Sequence, residues 1–134
     1  NLFRIEKAEI LEAAAVMRAS GWALVNLPGL PLKPLVFMMR FLPDPLLRPL
    51  LKKLVTGGRG EKMPSFYIEK MRGSTRSEVN DLNGAVVRQG VAVGIPAPVN
   101  SALTDIFNKI LQDDDFRKAF SHHPQKLVET IEVE

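Results

Sequence analysis

The sequence predicts an all-α fold on three observations. Apolar residues recur at spacings of three or four, proline, glycine and capping residues punctuate those stretches, and there is hardly a strand signal. Residues 5–19 place Ile5, Ala8, Leu11, Ala15 and Ala19 on one stripe, and Gly21 follows as a left-handed cap, so this segment is a helix. "WALVNLPGLPLKP" has three prolines and a glycine and reads as an extended, apolar connection that packs on the helices around it. "LKPLVFMMRFL" forms a short helix from near Pro34, because proline suits a first turn, and it ends before Pro43.

Asp44-Pro45 reads as a cap and first position, with Leu46, Leu47, Leu50, Leu51, Leu54 and Val55 as a two-wide stripe. Pro49 removes a donor early in that segment, so regular helix is expected from Arg48. "TGGRGEK" is expected as a loop, and it is neither a G-x-G-x-x-G nor a P-loop phosphate cradle. Pro64 and Ser65 open a helix, "SFYIEKMR", that Gly73 ends.

Thr75 and Glu78 have capping-box spacing, and a helix from there carries Val79, Leu82, Val86, Gly90 and Val93 as its seam. Gly84 and Gly90 each cost roughly 1 kcal/mol against Ala inside a helix, which close packing against another backbone would offset. Gly94, Pro96 and Pro98 stop this helix. Asn100 or Ser101 caps the next one, which runs through Gln112 and buries Leu103, Ile106, Phe107, Ile110 and Leu111. "DDD" before "FRKAF" is an acidic helix start, and "KLVETIEVE" fits a short helix or a strand.

Composition narrows the function. The 134 residues suffice for about one domain with its own core. The absence of cysteine removes thiol catalysis, disulfides and thiolate metal sites, and fits a reducing compartment such as the cytoplasm. Lys33, Arg40 and repeated prolines break the longest apolar region, so membrane insertion is not expected. Net charge is +3, yet between Arg40 and Arg76 nine basic residues face three acids. That basic field favours an anionic partner.

His122 and His123 are adjacent and aim about 100 degrees apart in a helix, so they make poor joint metal ligands. No H-E-x-x-H or G-x-S-x-G occurs. Phe41, Phe66 and Tyr67 are spaced as core anchors, so nucleic acid is not an expected partner.

Residues 62–103, "KMPSFYIEKMRGSTRSEVNDLNGAVVRQGVAVGIPAPVNSAL", resemble the C-terminal domain of ketopantoate reductase (2-dehydropantoate 2-reductase). In that family a serine opens one helix, and about thirteen positions later a T-E-I-D or S-E-V-D element starts a second, followed by L-N-G-A-V-V and G-I-P-x-P-V-N. The same order stands here as "PSF", "SEVND", "LNGAVV" and "GIPAPVN". Upstream, "LPGLPLKPL" and "LLRPLLKKLVTGGRGEKMPS" resemble one branch of the family.

The resemblance implies a multi-helix substrate domain over residues 1–112, similar to that of 6-phosphogluconate dehydrogenases, incomplete on its N-terminal side and followed by a tail over 113–134. A Rossmann domain, expected outside this chain, would bind NADPH. The substrate would lie between the two domains, with hydride passing to the C2 carbonyl of a 2-keto acid and a family lysine donating the proton, as a step in pantothenate biosynthesis. By position, Glu78 matches the glutamate that hydrogen-bonds the reacting oxygen, and Ser65 matches a serine that contacts the substrate. Asn83 reads as a helix-packing hydrogen bonder.

Two departures matter. No lysine here stands four residues before an asparagine, the family's K-x-x-x-N pattern, and Asn80 replaces an acid usual in the family. This chain alone is therefore expected to be inactive as a reductase. A homodimer is a further expected assembly, since a domain cut from its partner leaves an apolar surface to cover. The alternative class is a non-catalytic helical interaction module with a basic, membrane-peripheral face around "FMMRFL".

Overall fold

A computed structural model describes residues 2–59, 73, 77–121 and 123–131. Among them the elements are α1 (Leu2–Ala19), α2 (Leu32–Phe41), α3 (Asp44–Arg59), a 3-10 turn (Glu78–Asn80), α4 (Asn83–Val93), α5 (Pro98–Gln112), α6 (Asp114–Phe120) and α7 (Pro124–Thr130). The fold is all-α, as expected; the extended pairing described is an isolated bridge between Leu27 and Leu30.

Helix α1 serves two cores because its apolar residues spread over two faces. Ile5 and Ala8 join Val99, Leu103 and Ile106 of α5, with Phe116 and Phe120 of α6 and Leu127 and Val128 of α7 closing over them. Phe3, Ile10 and Leu11 pack instead against Leu35 and Met39 of α2 and Leu47 and Leu51 of α3. Val16, absent from the expected stripe, is among the most deeply buried side chains, whereas Ala19 is exposed. Gly21 does take the left-handed conformation (φ 75°) after the helix, and Trp22 N–H donates back to the Met17 carbonyl at 2.9 Å.

The connection after α1 differs from its expectation. It turns at Pro28-Gly29, where Gly29 has φ 76° and Leu30 N–H donates to the Leu27 carbonyl at 2.9 Å, but Trp22, Val25 and Leu27 stay largely exposed. Only Leu24 and Leu30 of its large apolar residues lean inward.

Helix α3 starts at Asp44, so Pro49 lies inside it rather than delaying it to Arg48. Pro49 costs the bond that the Pro45 carbonyl would otherwise receive. The Pro43 carbonyl anchors the first turn by accepting from Leu46 and Leu47 N–H at 3.1 and 3.2 Å, and burial of Leu47 and Leu51 against α2 holds the rest. The helix also continues through Thr56, Gly57, Gly58 and Arg59, expected as loop. Gly73 has φ 70°, the conformation suited to a glycine that ends a helix, while the helix expected before it, residues 65–72, lies outside the described residues.

Lys7 of α1 ties down the start of α3 by donating to Asp44 Oδ1 at 2.7 Å. That bond, with the charges of Lys7, Arg4 and Arg48, outweighs desolvation and lowers the Asp44 pKa below the ordinary carboxylate range. A depressed folded-state pKa stabilises the fold above the unfolded carboxyl's value of roughly 3.9, and that stabilisation is lost as pH falls through the folded value. The melting-temperature gap between the wild-type chain and Lys7→Met should thus be present near about pH 6 and close by about pH 2, as followed by circular dichroism.

Glu9 of α1 meets Asn83 at the start of α4, and Ser20 meets Gln89 near its end, so α1 and α4 run in the same direction. Helix α5 returns antiparallel: its start at Val99 meets Glu12 of α1, whereas Asn108 in its later half faces Asn80, ahead of α4. The acidic run opens α6, as expected, with Asp113 capping it by accepting from Asp115 and Phe116 N–H, and the segment that fitted helix or strand is helical as far as Thr130, in α7.

Candidate functional site

Glu78 opens a short 3-10 turn that is held from both sides. Ser77 before it is 2% exposed and its Oγ accepts from Val79 N–H at 3.1 Å, which makes Ser77 the cap. Val79 after it is also buried, so the exposed Glu78 stands between two anchored neighbours. The Glu78 carbonyl accepts from Asp81 and Leu82 N–H, both at 2.9 Å, closing the turn beneath the side chain.

A polar network fixes this turn to the bundle. Asn80 and Asn108 exchange side-chain hydrogen bonds of 2.9 and 2.8 Å, and Arg88 donates to the Asn80 carbonyl at 3.1 Å. One turn on, Asn83 Nδ2 donates to Glu9 Oε1 at 2.7 Å and to Asn100 Oδ1 at 3.0 Å. Asn100, 1% exposed, donates in turn to Glu12 Oε2 at 2.7 Å and to the Glu9 carbonyl at 3.1 Å. The Glu12 carboxylate also accepts from Val99 and Asn100 N–H, each at 2.9 Å. A carboxylate of α1 thereby caps the N-terminus of α5, where negative charge also suits the helix dipole.

Several local expectations change. The cap beside Glu78 is Ser77, and Thr75, the expected capping-box partner, lies outside the described residues. The expected single helix to Val93 is a 3-10 turn, a break at Asp81-Leu82 and then α4. Leu82, expected in the seam, is 64% exposed, because the break turns it outward while Val79, Gly84 and Gly90 remain buried. The cap of α5 is Ala97, with Pro98 as the first helical residue, rather than Asn100 or Ser101. Asn83 does bond between helices, as expected.

Ser65 lies outside the described residues, so the geometry around Glu78 includes no position for it. Sequence reasoning missed Ser77, the Asn80–Asn108 pair and the Glu9–Glu12–Asn100 network. Asn100 and Asn108, eight residues apart on α5 and about 80° apart around it, are the local hint that this side of the helix carries polar groups. Among the described residues no cluster of three or more His, Asp or Glu could hold a metal, and no helix is long and apolar enough to cross a membrane.

A family model described as Ketopantoate reductase PanE/ApbA C terminal matches residues 3–111. The chain belongs to the ketopantoate reductase C-terminal family. The matched region runs from α1 to the last turn of α5 and includes the 78–80 turn, so this family's domain contains the whole polar network, while α6 and α7 lie beyond the match. No curated protein and no solved structure matches the chain. Membership makes this the C-terminal part of a ketopantoate reductase-like protein.

Proposed function

We propose that in the complete protein this domain forms one wall of a 2-keto acid site, with ketopantoate as the leading substrate, in an NADPH-dependent reductase. Glu78 is the residue assigned to the reacting oxygen, and Ser65 a second substrate contact. The observation that carries this reading is the placement of Glu78: an exposed carboxylate on a turn clamped by buried Ser77 and Val79, within the family-matched region. A carboxylate so mounted keeps its position without relying on a flexible loop, which is what orientation of a substrate demands. When ionised it only accepts hydrogen bonds. Its pairing therefore strengthens as the keto oxygen acquires a proton and becomes a hydroxyl, and an interaction that grows along the reaction accelerates it.

This chain carries no glycine-rich fingerprint for the dinucleotide. The sequence lacks G-x-G-x-x-G, and Gly57 and Gly58 lie inside α3 rather than in a strand-to-helix turn. Cofactor binding is accordingly assigned to an N-terminal Rossmann domain, the other partner in this reading, with the cytoplasm as its expected location.

In the complete protein, Glu78→Ala should lower ketopantoate turnover by more than about tenfold, the scale of one charge-assisted hydrogen bond, with an unchanged unfolding midpoint. A turnover near that of the wild type would remove the assigned role. The second reading, a non-catalytic module with a membrane-peripheral face, is motivated by Phe37 and Phe41, 63% and 64% exposed beside Arg40. Salt-sensitive flotation with anionic vesicles tests it. Homodimerisation is the remaining assembly proposal, and sedimentation of the complete protein measures it.

A further inference from the structure

We propose that a groove between α1, α2 and the connection at Trp22 binds a small amphipathic anion, with an apolar body and a carboxylate or phosphate head. The groove encloses about 310 Å³, at the small end of ligand-sized pockets. Its floor is Leu11, Ala14 and Ala15 of α1, Val36 of α2 lines it as well, and Trp22 borders it. Two alanines in succession leave the space that larger side chains would fill. Among the described residues, the charged side chains lining it are Arg18 and Arg40, with no acid.

Arg18 and Arg40 stand in the last turns of α1 and α2. A helix dipole favours a cation at each of these places singly, but does not account for both last turns converging on one apolar hollow. Among the described residues neither guanidinium has a hydrogen bond or ion pair; Arg40 lies 5.8 Å from the Phe41 ring centre, a cation–π contact. Guanidinium groups grip carboxylate and phosphate oxygens in pairs, and the apolar floor accepts the body of the same molecule.

This site is separate from Glu78. Glu9 of α1 meets the Asn83 end of α4, and Arg18 stands nine residues further along the same helix, about 14 Å at 1.5 Å per residue. The inference thus stands whether or not the substrate assignment does.

Trp22 is the only tryptophan in the sequence, so its fluorescence reports on this groove directly. Titration of the chain with octanoate and with octyl phosphate should give a saturable blue shift, while 1-octanol and acetate, each lacking one half of the chemistry, should not. The double variant Arg18→Gln, Arg40→Gln should weaken binding at least about tenfold, as loss of one charge-assisted hydrogen bond would. Both side chains are exposed, so the variant should keep its circular dichroism spectrum.

Trp22 also borders a second groove, lined by Arg88 and Gln89, so Arg88→Gln is the control and should leave the affinity unchanged. No saturable shift, equal binding by the double variant, equal response to octanol, or loss caused by Arg88→Gln would each overturn the proposal. So would a shift seen only with anionic phosphatidylglycerol vesicles, which would assign this face to a membrane surface.

Discussion

Glu12→Ala is expected to destabilise the domain by about 3 kcal/mol, measured as a loss in urea-unfolding free energy with the slope unchanged. The Glu12 carboxylate accepts three hydrogen bonds, from Val99 N–H, Asn100 N–H and the Asn100 side chain. Removing a helix cap costs about 1 kcal/mol, and stranding a buried polar group costs about 1–3 more. Asn100 is that stranded group, since it is buried and its side-chain nitrogen would keep only the Glu9 carbonyl. Glu12→Gln separates the cap from simple bulk. It keeps the side-chain size but turns one acceptor oxygen into a donor facing other donors, so most of the loss should remain. A near-neutral Glu12→Gln would show that Glu12 matters through packing instead.

Gly90→Ala is expected to cost about 2 kcal/mol or more, although Ala is the better helix former by roughly 1 kcal/mol. Gly94 ends α4 in the left-handed conformation (φ 70°), and Ile95 N–H then donates back to the Gly90 carbonyl at 2.8 Å. That fold-back sets the Ile95 carbonyl oxygen 2.5 Å from where a Gly90 Cβ would stand, with Val16 Cγ2 at 3.3 Å. Backbone on one side and a core side chain on the other leave no flexible neighbour to yield. Gly84→Ala is the contrast. Its nearest neighbour is the tip of Arg88 at 3.1 Å, a flexible group, and the next is the Val79 carbonyl oxygen at 3.6 Å. Stability should change by less than about 1 kcal/mol there. Thermal unfolding of the two variants side by side checks the difference, and equal losses would contradict this explanation of Gly90.

What was legible in the sequence is what short-range chemistry decides. Helix α1 with its Gly21 cap, the Asp113 cap of α6 and the close packing at Gly90 each depend on residues within a few positions or on glycine lacking a Cβ. The cap of α5 was not legible, because Glu12 reaches it across 87 residues from Val99 and nothing local distinguishes Glu12 from a surface acid. Pro49 misled in the other direction: one missing hydrogen bond is a small loss beside the burial of Leu47 and Leu51. At the candidate site, the motif order singled out Glu78, but its mounting was obscured. The Asn80–Asn108 pair and the buried Ser77 depend on where α5 passes, and tertiary packing decides that.

A structure of the complete protein with ketopantoate and its cofactor tests the assignment of Glu78 most directly. A Glu78 carboxylate oxygen within hydrogen-bond reach, about 3 Å, of the substrate's C2 oxygen is the predicted result. Ketopantoate bound with its C2 oxygen facing other residues, and Glu78 turned to solvent, would contradict it.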